Sequence, residues 1–500
     1  MKKFAGFLLA MIMMLAMTVA ASAEDTIINN VSDHTFEAYQ IFSGTQTGTT
    51  NDISLGNIKW GSGINGDGFL NTLKSDAVIG SNFTDCSTAA DVAEVLGNNK
   101  DIANAFAKIA FKSITGNGIT ITAGESRLEA GYYLIVDTTD VNGKDDAKNL
   151  ALLDVTGNNV TISNKKDTPK SEKKVKDVND STNENSDWQD SADYDIGDEI
   201  SYQLTATLPE NVSDYESYSL SFVDTMSKGL TYKEGSAIVK VGDTEVGTLV
   251  PTSAIYNGDE PKYTGGTVLT WNLSDVKAAP YNAGNEAVIT IEYTATLNES
   301  AVIGSAGNPN MMHIVYSNNP NGEGTGKTPD DTNIVFTYKV VVNKVDEKNE
   351  PLEGAAFTLY KKINDATDTD DGYVKLKEIG NDTTFEFTGL DDGDYKLEET
   401  TTPAGYNTIA PIKFTIAADH KISDDNPALM SLNGNAASGE VTFTSDPAAG
   451  SLTTDVVNQK GATLPETGGI GTTIFYVLGT ILVLGAGILL ITKKRMGADK

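Results

Sequence analysis

From about residue 165 onward the chain is written with a period of two. Ile200 to Leu208, Ser219 to Asp224, Val268 to Leu273 and Ala287 to Leu297 alternate apolar with polar residues, and turn residues separate the runs. Successive side chains of a strand point to opposite faces, so each run buries one face and wets the other. With no helical period between them, these runs predict a β-sandwich over 165–332, closed by the Gly-, Asn- and Pro-rich stretch Asn318 to Pro329. The same pattern at smaller size predicts a second sandwich over 333–460.

The block before them, 24–164, is mixed. In His34 to Phe42 the residues Phe36, Ala38, Gln40 and Phe42 alternate with Glu37, Tyr39 and Ile41, a strand with apolar residues on both faces. From Thr88 to Ile114 the period changes: Val92, Val95, Leu96, Ile102, Phe106, Ile109 and Ala110 recur at helical spacing, broken near Gly97 by two asparagines. One broken helix is expected there, and Gly131 to Asp137 and Val155 to Ile162 are expected as closing strands. The fold class is thus all-β: tandem immunoglobulin-like sandwiches with a short broken helix in the N-terminal domain.

Charge and chemistry-bearing residues exclude several functions. The 500 residues carry 37 Lys and Arg against 69 Asp and Glu, a net charge of −32, which argues against nucleic acid or anionic lipid as partner. The single Cys86 forms no intramolecular disulfide, and His34, His313 and His420 show no zinc spacing and no Ser-His or Cys-His pair. The Asp365 to Asp371 loop lacks the EF-hand spacing and reads as a solvated hairpin tip. No paired-carboxylate site of a glycan-active enzyme is evident. Neither a metal nor a cofactor is expected, and the chain is read as a structural protein, not an enzyme.

Both ends of the chain are addresses. Lys2 and Lys3, the apolar run Phe4 to Met17 and Ala21-Ser22-Ala23 form the order of a secretory signal peptide, expected over 1–23 with the mature chain starting near Glu24. Ile470 to Ile491 is apolar, uncharged and of spanning length, and Lys493-Lys494-Arg495 follows it. Immediately before it stands Leu464-Pro465-Glu466-Thr467-Gly468. Together, 461–500 resembles the cell-wall sorting signal of Gram-positive surface proteins. The resemblance implies that a sortase cysteine attacks the Thr467 carbonyl, releases Gly468 onward and passes the acyl group to an amine.

The third block holds Tyr395-Lys-Leu397-Glu-Glu399-Thr400-Thr-Thr-Pro403-Ala-Gly405-Tyr406. This resembles the E-box of Gram-positive pilins and collagen-adhesin B-type domains. The resemblance implies an isopeptide bond between Lys344 in the first strand and Asn458 in the last, with Glu399 as catalyst. Strand parity agrees: Lys344 goes with Val340 and Val342, Asn458 with Val456, and Glu399 with Tyr395 and Leu397, whereas Glu398 faces the other way. Burial of these groups lowers the lysine pKa and raises that of the acid, yielding a neutral amine beside a protonated carboxyl.

The second block resembles the collagen-adhesin A-type domain through Pro169 and Lys173, Asp224 in Asp224-Thr-Met-Ser-Lys-Gly229-Leu230, and Asn318 in Tyr316-Ser-Asn318-Asn-Pro320. A Lys173–Asn318 bond catalysed by Asp224 is implied, with Lys174, Asn310 and Asn319 as alternatives. Taken as a whole, the layout resembles the sortase-assembled backbone pilins. That resemblance implies a pilin-motif lysine at the end of the first domain, and Val160-Thr-Ile162-Ser-Asn-Lys165-Lys166 places Lys165 there, with Lys166 and Lys170 as alternatives. The implied partners are a sortase, further copies of the chain and peptidoglycan. A wall-anchored monomeric adhesin or minor pilin, with a host surface ligand, is the competing reading.

Overall fold

The computed structural model describes residues 25–49, 52–156, 159–364, 366, 370–437, 441–461 and 470–496. The signal peptide and the sorting residues Leu464, Pro465, Thr467 and Gly468 lie outside the described residues.

The N-terminal block holds two sheets and more helix than expected. Thr26–Asn30 pairs antiparallel with Gly124–Leu128 and parallel with Val160–Ile162. Phe36–Thr49 is central to the other sheet, between Asp52–Trp60 and Gly131–Asp137, and Leu150–Val155 lies outside the latter. The two apolar faces of His34 to Phe42 are explained by two cores: Phe36 and Ala38 pack with Ile28, Ile121 and Leu153, whereas Tyr39, Ile41 and Phe42 pack under helices. Those helices are Gly66–Ser75, Ala89–Asn98 and Ala103–Ser113. The last two are the expected broken helix, started by a Thr88–Asp91 capping box and interrupted at Asn99. Gly66–Ser75 was not expected, and it completes the cover over Phe69, Phe83 and Phe106. Cys86 is buried in this core, where burial raises its thiol pKa.

The second block is a sandwich. One sheet runs in the order Ser191–Asp193, Asp331–Phe336, Asn308–Ser317, Leu220–Met226, Thr267–Leu273, Thr252–Ile255. The facing sheet runs Thr244–Thr248, Ile238–Val241, Val288–Leu297, Glu199–Thr207, Lys170–Val175. Tyr202, Phe222, Trp271 and Tyr293 fill the space between them. Asp331–Phe336 pairs with Asn308–Met312, so the sheet runs on through Phe336 before the next strand starts at Tyr338.

The third block packs Thr384–Leu390, Tyr338–Val345, Ser451–Val457 and Thr444–Asp446 against a five-stranded sheet made of Tyr373–Asp382, Ala355–Lys362, Gly393–Thr401, Ile412–His420 and Leu429–Ala436. Its first and last strands, Tyr338–Val345 and Ser451–Val457, lie side by side in parallel. Beyond it, Ile470–Met496 is a helix whose Ile474–Lys494 part has mean hydropathy 2.6 and is unburied.

Candidate functional site

Two clusters of buried polar side chains stand out, one in each sandwich. In the third block, Lys344 and Asn458 are fully buried and Glu399 nearly so, as strand parity requires. The parallel register sets Lys344 against Val456, and Asn458 follows two residues later on the same face, its backbone N–H donating to Val345 O at 3.0 Å. Asn458 Nδ2 donates to Glu399 Oε1 at 2.8 Å, and Glu399 Oε2 accepts from Ile409 N and Thr402 Oγ1, each at 3.2 Å. Lys344 Nζ donates to Val456 O at 2.7 Å and Val345 O at 3.2 Å. Asn458 Oδ1 has no partner. A half-turn of this carboxamide presents Oδ1 to Glu399 instead. Glu398 is half-buried on the other face of its strand.

Burial pulls the Lys344 amine down to about 8 against a smaller upward pull from Glu399. The depressed value has a consequence for a chain that keeps Lys344 free. Below about pH 8 the amine is protonated in folded and unfolded states alike, so the full burial cost is present. Between there and the ordinary value of 10.5 the folded state has lost a proton that the unfolded state retains, and stability rises with pH. An Asn458→Ala variant is therefore expected to gain about 2 kcal/mol between pH 8 and 10, read from urea midpoints.

In the second block Lys173 and Asp224 are fully buried and bonded to one another, Nζ to Oδ2. The Tyr293 hydroxyl joins them: it accepts from Lys173 Nζ at 3.2 Å and from Asn310 Nδ2 at 2.7 Å, and donates to Asp224 Oδ2 at 3.1 Å. Lys173 Nζ also sits 4.7 Å from the centre of the Tyr202 ring, which stacks on Tyr293. Burial pushes the lysine pKa down and the carboxyl pKa up, and their mutual attraction opposes both shifts. Asp224 Oδ1 and Asn310 Oδ1 are buried without partners. Lys173, Asp224 and Asn310 are thus gathered around the Tyr293 hydroxyl.

Asn318, expected as the amide of this site, is elsewhere. Register sets Asp224 opposite Met312, and Asn318 lies six residues farther along, about 20 Å at strand rise. Its Nδ2 donates to Val141 O at 2.8 Å and Asp146 O at 3.1 Å, tying the first block to the second. Asn310, one inward position from Met312, occupies the place instead. Lys174 reaches Asp190, and Asn319 is bonded to its own loop through Glu323 O. Tyr293 escaped the sequence reading because nothing distinguishes it from the other inward aromatics of its strand.

Lys165 lies in the segment between Val160–Ile162 and Lys170–Val175. Its side chain is 58% exposed, with Nζ 2.7 Å from Glu210 Oε2 and 3.2 Å from Asp167 Oδ1. The hydrogen bond that Lys165 donates to Glu210 leads in raising its pKa and keeps the amine charged. Lys166 is also exposed, 3.5 Å from Asp146, and Lys170 opens the strand beside Thr207.

Comparison with known proteins gives these features a class. Residues 456–496 match the LPXTG cell wall anchor motif, residues 338–427 a prealbumin-like fold domain, and residues 196–320 the Gram-positive pilin backbone subunit 2, Cna-B-like domain, where the sequence motifs had pointed to the A-type. The anchor match marks a cell-wall-anchored surface protein, and one of its domains is of the pilin-backbone kind. It is homologous to a surface protein of a Gram-positive bacterium. The trypsin-resistant surface T6 protein of Streptococcus pyogenes is 27% identical over 369 residues, 60% of this chain and 65% of the relative's length. The solved T6 backbone pilin of that species aligns with 89% of this chain and 100% of its own at 19% identity and TM-score 0.49. The full-length major pilin SpaD of Corynebacterium diphtheriae aligns over 90% and 100% at 18% identity and TM-score 0.45.

Proposed function

We propose that this chain is the major subunit of a covalent surface pilus. A sortase cleaves after Thr467 and transfers its acyl group to Lys165 of the next subunit, and the last transfer joins the fibre to peptidoglycan. Each sandwich stiffens itself by one intramolecular isopeptide bond, Lys344 to Asn458 and Lys173 to Asn310. In each, the neutral lysine Nζ attacks the asparagine Cγ, the neighbouring acid, Glu399 or Asp224, relays the proton, and the amide nitrogen leaves as ammonia.

The observation that carries this reading is the burial of two lysines with an acid and an asparagine in each sandwich. Buried lysines of this kind cost stability unless something consumes their charge. In the third block the linked strands are the first and the last, so an axial load passes through the covalent bond instead of unzipping the ladder.

Lys165 is suited to be the acceptor because it is exposed on the joining segment, although the enzyme must first displace Glu210 and Asp167 from it. An immunoblot of denatured wall material is expected to show a high-mass ladder that collapses to monomer in Lys165→Ala cells. A ladder that persists moves the acceptor to Lys166 or Lys170, and a single band from unaltered cells overturns the polymer in favour of a monomeric adhesin.

A further inference from the structure

The second and third blocks meet across a crowded set of buried carboxylates. Asp177 and Asp193 come from the second block, and Asp391, Asp392 and His420 from the third. Ligand atoms of Asp177, Asp193 and His420 lie within 4.8 Å of one another, and those of Asp193, Asp391 and Asp392 do likewise. Lys361 answers part of this charge, with Nζ 3.0 Å from Asp180, 2.5 Å from Asp195 and 3.1 Å from Asp391. Asp392 takes the side-chain amide of Asn179 at 2.6 Å. His420 Nε2 faces Asp177 and Asp193.

Crowded carboxylates alone do not make a metal site, but two further features point to a ligand. Asp193 is 1% exposed, and its Oδ2 has no hydrogen-bond partner. The second feature is the tautomer of His420. Ser191 Oγ donates its only proton to Lys421 O at 2.6 Å, so at 2.8 Å from His420 Nδ1 it must accept. Nδ1 therefore carries a proton, and Nε2 is the atom left to a cation, which would displace any proton there. That atom faces Asp193 Oδ1 at 3.8 Å and Asp177 Oδ2 at 4.0 Å, too far for hydrogen bonds. Ligand atoms that share one ion at about 2.1 Å sit roughly 3–4 Å apart. A histidine oriented through its other nitrogen is the usual support of a metal ligand.

We propose that Asp177, Asp193 and His420 bind one divalent cation at the joint between the second and third blocks. The nitrogen ligand favours a Zn²⁺- or Mn²⁺-type ion over Ca²⁺, which prefers oxygen alone. Because two ligands come from one block and the third from the other, the ion clamps the joint. The ligands are scattered between positions 177 and 420, so no metal spacing exists in the sequence, and the expectation of no metal gives way here to this proposal.

The test uses the chain ending at Gly461, which loses only the sorting sequence and the unburied helix. After chelator treatment it is titrated calorimetrically with Zn²⁺, Mn²⁺ and Ca²⁺. One Zn²⁺ or Mn²⁺ per chain is expected, bound more tightly than Ca²⁺ and weakened at least tenfold by Asp193→Asn and by His420→Gln. Should either variant misfold, nitrogen NMR of the three histidines of the unaltered chain decides: only His420 Nε2 is expected to shift with Zn²⁺. Absence of Zn²⁺ and Mn²⁺ binding, tighter binding of Ca²⁺, unchanged affinity in both variants, or an unmoved His420 Nε2 would each overturn the site.

Discussion

Glu399→Gln is expected to leave the third sandwich without its crosslink, so that its mass stays higher by one ammonia. Glutamine keeps the shape of the side chain and its place beside Asn458, but it relays no proton, so Lys344 and Asn458 remain separate groups. The bond that fails to form would close a loop from 344 to 458. By the chain-entropy reckoning used for disulfides, a loop of about 100 residues contributes about 5 kcal/mol through the unfolded state. A domain of this size then melts on the order of 15 °C lower. Scanning calorimetry together with intact mass checks both effects. A Glu399→Gln chain that has lost the ammonia and melts unchanged removes Glu399 from the chemistry.

The second large effect separates two asparagines that strand parity leaves equivalent. Asn310→Ala is expected to abolish the crosslink of the second sandwich, again at about 5 kcal/mol for a loop longer than 100 residues. Lys173 and Asp224 then remain as a buried pair, which becomes protease-sensitive on mild heating. Asn318→Ala is expected to keep the crosslink and its mass. Its cost is the loss of donors to Val141 O and Asp146 O, about 1–3 kcal/mol, confined to the joint with the first block. The reverse pattern, ammonia retained in Asn318→Ala and lost in Asn310→Ala, would restore Asn318 as the reacting amide.

That contrast shows what could be read from residues alone. In the third block the E-box fixed the acid, and parity put Lys344, Glu399 and Asn458 inside, where the structure places them. In the second block the same parity admits Asn310 and Asn318 equally, because both are an even number of residues from Ile314. Only the pairing of Asp224 with Met312 decides between them, and register is a property of two strands rather than one. Gly66–Ser75 was hidden for a different reason. Two glycines in its first turn weaken the helical signal, and its stability comes from Phe69 and Leu73 packing on the sheet, a tertiary contribution. Lys361 and the carboxylates around it show no sequence pattern either, because their meeting depends on how two sandwiches abut.

The most direct measurement is the intact mass of the purified chain ending at Gly461, followed by peptide mapping of the unreduced protein. The expected mass is lower than the sequence mass by two ammonias, with Lys344 linked to Asn458 and Lys173 linked to Asn310. A mass equal to that of the sequence would contradict the self-crosslinked pilin subunit outright.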